Sequence, residues 1–123
     1  MGPATRQKVL LVDDNADVRR LYAIGLNQRG FEVKLAANGA EAVDRVATER
    51  PDFILLDWMM PLMDGREVVE QLDLQEAASA IQIIVISGQP APNELPPRIR
   101  SWLTKPLTVD ELVSEIGRER QVG

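Results

Sequence analysis

Three four-residue runs are apolar at every position: Val9-Leu10-Leu11-Val12, Phe53-Ile54-Leu55-Leu56 and Ile83-Ile84-Val85-Ile86. Successive side chains of a strand point to opposite faces. A strand that is apolar throughout is therefore covered on both sides, the environment of a parallel sheet. Phe31-Glu32-Val33-Lys34-Leu35 alternates instead, as a half-exposed strand does. Ser101-Trp102-Leu103-Thr104 is a short fifth candidate.

Helical patterns lie between these runs. Val18, Leu21, Gly25 and Leu26 share one helical face, and Gly30 can end that helix in the left-handed region. Asn38 and Glu41 have the spacing of a capping box, Ala42, Val43, Val46 and Ala47 form an inner stripe, and Pro51 stops the helix. A third helix follows Gly65, with Val68, Val69 and Leu72 inward. The last is the best marked. Thr108 and Glu111 close a capping box, Leu107 and Leu112 can staple it, and Leu112, Val113 and Ile116 face the core. Strand alternating with helix predicts an α/β protein, a parallel sheet with helices on both faces. Right-handed crossovers leave few topologies, and a five-stranded doubly wound sheet of order 2-1-3-4-5 is the natural one.

Length and composition narrow the function. The 123 residues fit one domain over residues 1–123, with a core from about 8 to 118. No apolar run is long enough to cross a bilayer, and the first eight residues lack the apolar stretch of a secretory signal. A cytoplasmic protein is expected. Cysteine and histidine are both absent. Disulfides, thiolate chemistry, a Ser-His-Asp triad, a His-ligated zinc site and a phosphohistidine intermediate are thereby excluded. A net charge of −5 argues against general affinity for nucleic acid.

The chemistry lies at the carboxyl ends of the predicted strands, where doubly wound folds bind ligands. Strand one ends in Asp13-Asp14, strand three in Asp57 and strand four in Ser87, while strand five stops just before Lys105-Pro106. Three close carboxylates repel one another and raise one another's pKa values. A hard divalent cation removes that conflict, and Mg²⁺ prefers oxygen ligands and often completes its shell with a phosphate. The set reads as carboxylates for Mg²⁺ with a lysine and a hydroxyl for a phosphoryl group. One carboxylate can serve as nucleophile, since aspartate forms acyl-phosphates. Singly, each residue also has an ordinary role as helix cap or turn former.

These residues resemble the response-regulator receiver family over nearly the whole chain. The pieces are Val12-Asp13-Asp14, Leu55-Leu56-Asp57-Trp58-Met59-Met60-Pro61-Leu62-Met63-Asp64-Gly65, Ser87-Gly88 and Thr104-Lys105-Pro106. Each is weak alone, but the ordered set is specific. The resemblance implies a flavodoxin-like fold and a phosphoacceptor switch that catalyses its own phosphorylation and dephosphorylation, not a turnover enzyme. Asp57 would accept the phosphoryl group. Asp14 would ligate Mg²⁺ directly, Asp13 largely through water, and Met59 through its backbone carbonyl. Lys105 would pair with the phosphoryl oxygens, Ser87 would move to bind them, and Trp102 sits where the family has its switching aromatic. The Lys105-Pro106 bond is often cis in such proteins. The donor would be a histidine kinase or a histidine phosphotransfer protein.

One stretch departs from the family. Lys105 follows Ser87 by 18 positions, a few short of the usual separation, and Pro90, Pro92, Pro96 and Pro97 lie between. A proline inside a helix costs about 3 kcal/mol, so the usual fourth helix should be short or missing. The chain also stops soon after the last helix. That suggests a single-domain regulator or a receiver cut from a hybrid kinase, with no DNA-binding domain following. Other readings fit less well. An aspartyl-phosphate phosphatase usually has a second acid two residues after its nucleophile, where Met59 stands. A dinucleotide-binding domain needs a glycine-rich turn where Asp13-Asp14-Asn15 stands. A receiver with a dead site would lack key residues that are all present.

Overall fold

Strand and helix alternate as the apolar pattern demands. The computed structural model describes residues 6–120. In order, the elements are β1 (Lys8–Val12), α1 (Ala16–Gln28), β2 (Glu32–Ala36), α2 (Gly39–Glu49), β3 (Phe53–Asp57), α3 (Gly65–Asp73), β4 (Gln82–Ser87), β5 (Ile99–Thr104) and α4 (Val109–Arg120), with a 3-10 turn at Glu76–Ala78. All five strands are parallel, in the order β2-β1-β3-β4-β5.

The three apolar runs have two separate covers. Leu10, Val12, Ile54, Leu56, Ile83 and Val85 point into one core beneath α2 and α3. Val9, Leu11, Phe53, Leu55, Ile84 and Ile86 point into the other, beneath α1 and α4. Full burial of each such side chain contributes about 1.5–3 kcal/mol, so β1, β3 and β4 are fixed in place by both layers.

Local signals set the helix ends. Gly30 has φ of +93° and ends α1, its N–H donating to the Asn27 carbonyl. Asn38 caps α2 through Glu41 N–H, and α2 closes on Arg50 in the left-handed region, one residue before Pro51. Asp64 and Glu67 form a full capping box on α3, a signal missed when the sequence was read from Gly65 alone. Thr108 and Glu111 make the expected box at α4.

One helix is turned from the expected face, and a second departs from it at a single residue. In α1 the buried residues are Tyr22, Ala23 and Leu26, while Leu21 is 65% exposed. Tyr22 is amphipathic: its ring is buried and its hydroxyl reaches the Leu107 carbonyl, so the polar tip costs nothing inside. In α2, Ala47 is exposed, while Ala42 and Val46 are buried.

Among the described residues no helix joins β4 to β5; residues 88–98 form an irregular connection. Its far end is held by Arg98, whose guanidinium donates to Asp73 Oδ1 (2.9 Å), the Ile81 carbonyl (3.1 Å) and the Ala78 carbonyl (2.7 Å). β5 then starts at Ile99, two residues earlier than predicted, through a bulge. The bulge accommodates Arg100, which lies over the Phe53 ring and donates to Gln82 and to the Glu115 carbonyl.

Arg98 thus replaces a helix as the anchor of this edge. Replacing Arg98 with Met should destabilise the fold by about 1–3 kcal/mol, because two carbonyls lose their donors. Urea unfolding checks this, and a loss under about 0.5 kcal/mol would mean that the clasp is dispensable.

Candidate functional site

The parallel register brings the strand ends together. Val12 pairs with Leu56, Asp57 with Ile86, and Ser87 with Thr104, so residues 13, 57, 87 and 105 emerge at one edge. Residues 13, 57 and 87 sit there because their strands run apolar up to that point and the chain turns polar on leaving the core, and residue 105 is brought alongside by the pairing of β5 with β4.

Asp13, Asp14 and Asp57 each offer a carboxylate oxygen within 4.8 Å of the others. Asp13 and Asp57 are buried and Asp14 is exposed. The Lys105 ammonium lies 3.5 Å from Asp13 Oδ2 and 3.7 Å from Asp57 Oδ1. The Asn15 N–H donates to the other Asp13 oxygen at 2.8 Å, and Asn15 also caps α1. The backbone of Lys105 is tied in as well, its N–H donating to the Ser87 carbonyl at 2.7 Å. The Lys105-Pro106 bond is cis, as the resemblance implied.

Electrostatics at this edge are unfavourable by design. Burial pushes the Asp57 carboxyl up to about 6; the Asp13 charge adds to this, Lys105 opposes it, and Asp14 raises it further. Three acids against one lysine leave an excess of negative charge. A divalent cation with a preference for oxygen fits this donor set, and the arrangement forms an acidic pocket that could bind a metal.

The other predicted residues surround the acids. Ser87 is fully buried, and its Oγ accepts the Gln89 N–H at 3.1 Å. Met59 is 56% exposed beside the acidic cluster. Trp102 is half-buried and packs against Trp58, with ring centroids 5.2 Å apart and planes tilted by 56°. Its indole N–H donates to the Gln89 carbonyl at 2.9 Å. Trp58 lies so close to Gly65 that a Cβ there would come within 2.5 Å of its ring, so this glycine is needed for close approach.

The sequence reading missed two residues that touch this edge, Arg19 and Tyr22 of α1. Arg19 Nη1 donates to the Asp13 carbonyl at 2.6 Å, and the Tyr22 hydroxyl to the Leu107 carbonyl at 3.2 Å. The only signal for Arg19 was a cation in the first turns of a helix, where the dipole disfavours it.

The strained charge on Asp57 has a measurable consequence. Its folded pKa exceeds the unfolded value of 3.8, so the folded state binds the extra proton between about pH 4 and pH 6. Metal-free protein should therefore lose stability from this group as pH rises through that window. At pH 7 without metal, Asp57→Asn should be more stable than wild type by on the order of 2 kcal/mol. Thermal unfolding in chelator at pH 5 and pH 7 checks this; an equal gain at both pH values would sink it.

Comparison with known proteins agrees with this geometry. A family model described as the response regulator receiver domain matches residues 9–117. The response regulator MprA of Mycobacterium avium is 34% identical over 113 residues, covering 89% of this chain and 49% of that protein. The chain thus spans about half the length of the curated relatives it matches. Among solved structures, the chemotaxis response regulator CheY4 of Vibrio cholerae superposes with a TM-score of 0.84 at 30% identity, covering 93% of this chain and 98% of that one. The receiver domain of the Francisella response regulator 1452 gives 0.82 at 27%, with 92% and 95% covered. By fold, by the acids at its strand ends and by sequence, the chain belongs to the response-regulator receiver family.

Proposed function

We propose that Asp57 accepts a phosphoryl group in a Mg²⁺-dependent reaction, and that the chain, as one receiver domain over residues 1–123, is a cytoplasmic signalling switch. The observation that carries this reading is the Lys105 ammonium, 3.5 and 3.7 Å from two of three convergent carboxylates. A lysine between two acids is already placed to meet the anion that replaces their charge.

In this reading Asp57 attacks phosphorus with one carboxylate oxygen. An O–P bond forms as the N–P bond to a donor histidine breaks, and the electron pair leaves with the imidazole. The donor is a histidine kinase or a histidine phosphotransfer protein, since this chain has no histidine of its own. Mg²⁺, held by Asp14 directly, by Asp13 largely through water, by Asp57 and by the Met59 carbonyl, would offset the charge of acids and phosphoryl oxygens. Lys105 pairs with one phosphoryl oxygen. Ser87 gives up its contact with the Gln89 N–H and donates its hydroxyl to another.

Incubation with acetyl phosphate and Mg²⁺ tests the chemistry. Wild type should gain one acid-stable, hydroxylamine-labile phosphoryl group, and none when Mg²⁺ is left out. Asp57→Asn should gain none; uptake at the wild-type rate would disprove the assignment.

The conformational change falls on residues 88–98 and on Trp102. Prolines remove amide donors there, and the segment is mostly exposed, so it belongs to the least stable part of the molecule. Phosphorylation pulls on Ser87 and through it on Gln89, the residue that holds the Trp102 indole. The reordered loop, with β5 and α4, would be the surface that a downstream protein reads. Amide exchange over this segment should be fast in the free protein and should slow at least several-fold with beryllofluoride and Mg²⁺. Equal exchange in both states would remove the loop from signalling.

A further inference from the structure

Two of the acids and the lysine at the proposed phosphoryl site stand on two separate turns, and both turns are tied to α1. Residues 13–15 carry the acids, and residues 105–107 follow the lysine. Arg19 and Tyr22 lie three residues apart on α1, on one side of the helix. Arg19 donates from Nη1 to the Asp13 carbonyl at 2.6 Å, a short charge-assisted bond. Tyr22 donates from its hydroxyl to the Leu107 carbonyl at 3.2 Å. Both bonds go to backbone, so each fixes the course of a turn whatever side chains it bears.

The helix that carries them is itself fixed. Ala23 and Leu26 are buried in the core below, and Gly25 lets α1 approach the start of α4 so closely that a Cβ would meet Val109 at 2.4 Å. Val109 lies two residues beyond Leu107, so the same contact anchors the lysine turn from its far side. Asn15 closes the acid turn from within. Its N–H holds Asp13 Oδ1, and its side chain caps the N–H groups of Asp17 and Val18. Burial keeps the Tyr22 phenol above its ordinary pKa, so it remains a donor at neutral pH.

Neither side chain is explained by helix formation. A cation in the first turns of a helix opposes the dipole, and a buried tyrosine hydroxyl needs a partner that a leucine would not. Local conflicts of this kind mark residues kept for a site.

We propose that Arg19 and Tyr22 are positioning residues that brace the two halves of the site: Arg19 sets the acid turn that binds the metal, and Tyr22 sets the lysine turn that binds the phosphoryl group. This rests on the phosphoacceptor reading. It assigns the two arms to different ligands, so single substitutions should separate them. A shift in the acid turn moves Asp13 and Asp14 relative to Asp57 and weakens the cation. A shift in the lysine turn leaves the acids in place and weakens only the anion.

The test uses the full chain with Arg19→Gln, Arg19→Lys and Tyr22→Phe. Mg²⁺ alone is titrated by calorimetry and by the fluorescence of Trp58, which adjoins Asp57. Beryllofluoride is then titrated at saturating Mg²⁺. Arg19→Gln should weaken Mg²⁺ by roughly tenfold, the scale of lost support behind metal ligands, and Arg19→Lys should recover most of it. Tyr22→Phe should leave Mg²⁺ affinity unchanged and weaken beryllofluoride by about fivefold, the scale of one hydrogen bond. The two conservative variants keep the outcome readable should Arg19→Gln fold poorly. Wild-type Mg²⁺ affinity in Arg19→Gln, or a Tyr22→Phe defect equal in both titrations, overturns the brace alone. Wild-type protein that binds neither probe overturns the phosphoacceptor reading and the brace with it.

Discussion

Everything at the functional edge depends on three strands buried on both faces. β1, β3 and β4 are covered by α2 and α3 on one side and by α1 and α4 on the other. A strand held by two layers cannot slip by one residue, because a slip would exchange the two sets of side chains and repack both cores. Its last residue is therefore placed with the precision of the core. Asp57 and Ser87 end such strands and Asp13 follows one directly, and this is why groups far apart in the chain can meet. The cost is electrostatic. Rigid strands hold the carboxylates together although their charges repel, and the raised Asp57 carboxyl records its burial first and that repulsion second. The core supplies the stability that the site consumes.

That balance explains why a cation and an anion can act in sequence at one place. With three acids and one lysine the edge favours a divalent cation. In the proposed reaction a bound cation would offset the acids and leave Lys105 free to meet new negative charge. The lysine would then partner the acids in one state and a phosphoryl group in the next. Its turn would have to hold position in both, the task proposed for the Tyr22–Leu107 contact on the backbone.

Much of this was legible in the sequence for a physical reason. β1, β3 and β4 announce themselves because burial on both faces forces continuous apolar runs. The edge residues follow because strand order and strand ends fix where they emerge. β5 was read short by Ile99 and Arg100: Arg100 is charged, and its acceptability depends on Gln82 and Glu115, which are distant in sequence. The face of α1 was misread because a count of apolar residues prefers Leu21 to Tyr22. What decides between them is the Leu107 carbonyl, 85 positions away. Arg19 left only a cation in the first turns of a helix, since its partner is a backbone carbonyl six residues away that carries no sequence signature. Caps could be inferred because they act on backbone at a fixed short spacing, whereas a contact such as Tyr22 to Leu107 had to be seen.

The missing helix between β4 and β5 changes what covers the sheet edge. Prolines at 90, 92, 96 and 97 leave a shallow groove of about 580 Å³ over Trp58 and Trp102. The tilted contact of these rings contributes about 0.5–1.5 kcal/mol beyond their burial. Trp102 holds Gln89, Gln89 holds Ser87, and Trp58 adjoins Asp57, so the contacts form a ring that begins and ends at the acidic edge. Contiguity alone transmits nothing; coupling needs an element with two arrangements. In this ring only the loop can supply one, because Trp58 is pinned against Gly65 and Ser87 lies in a buried strand. A helix in the same place would have its own hydrogen bonds to break before it could move. A proline-rich connection has few, and is held at its ends, by Gln89 on one side and by Arg98 on the other. An irregular connection in place of a helix therefore lowers the energy needed to move this edge, while the acids of the proposed phosphoryl site stay on rigid strands.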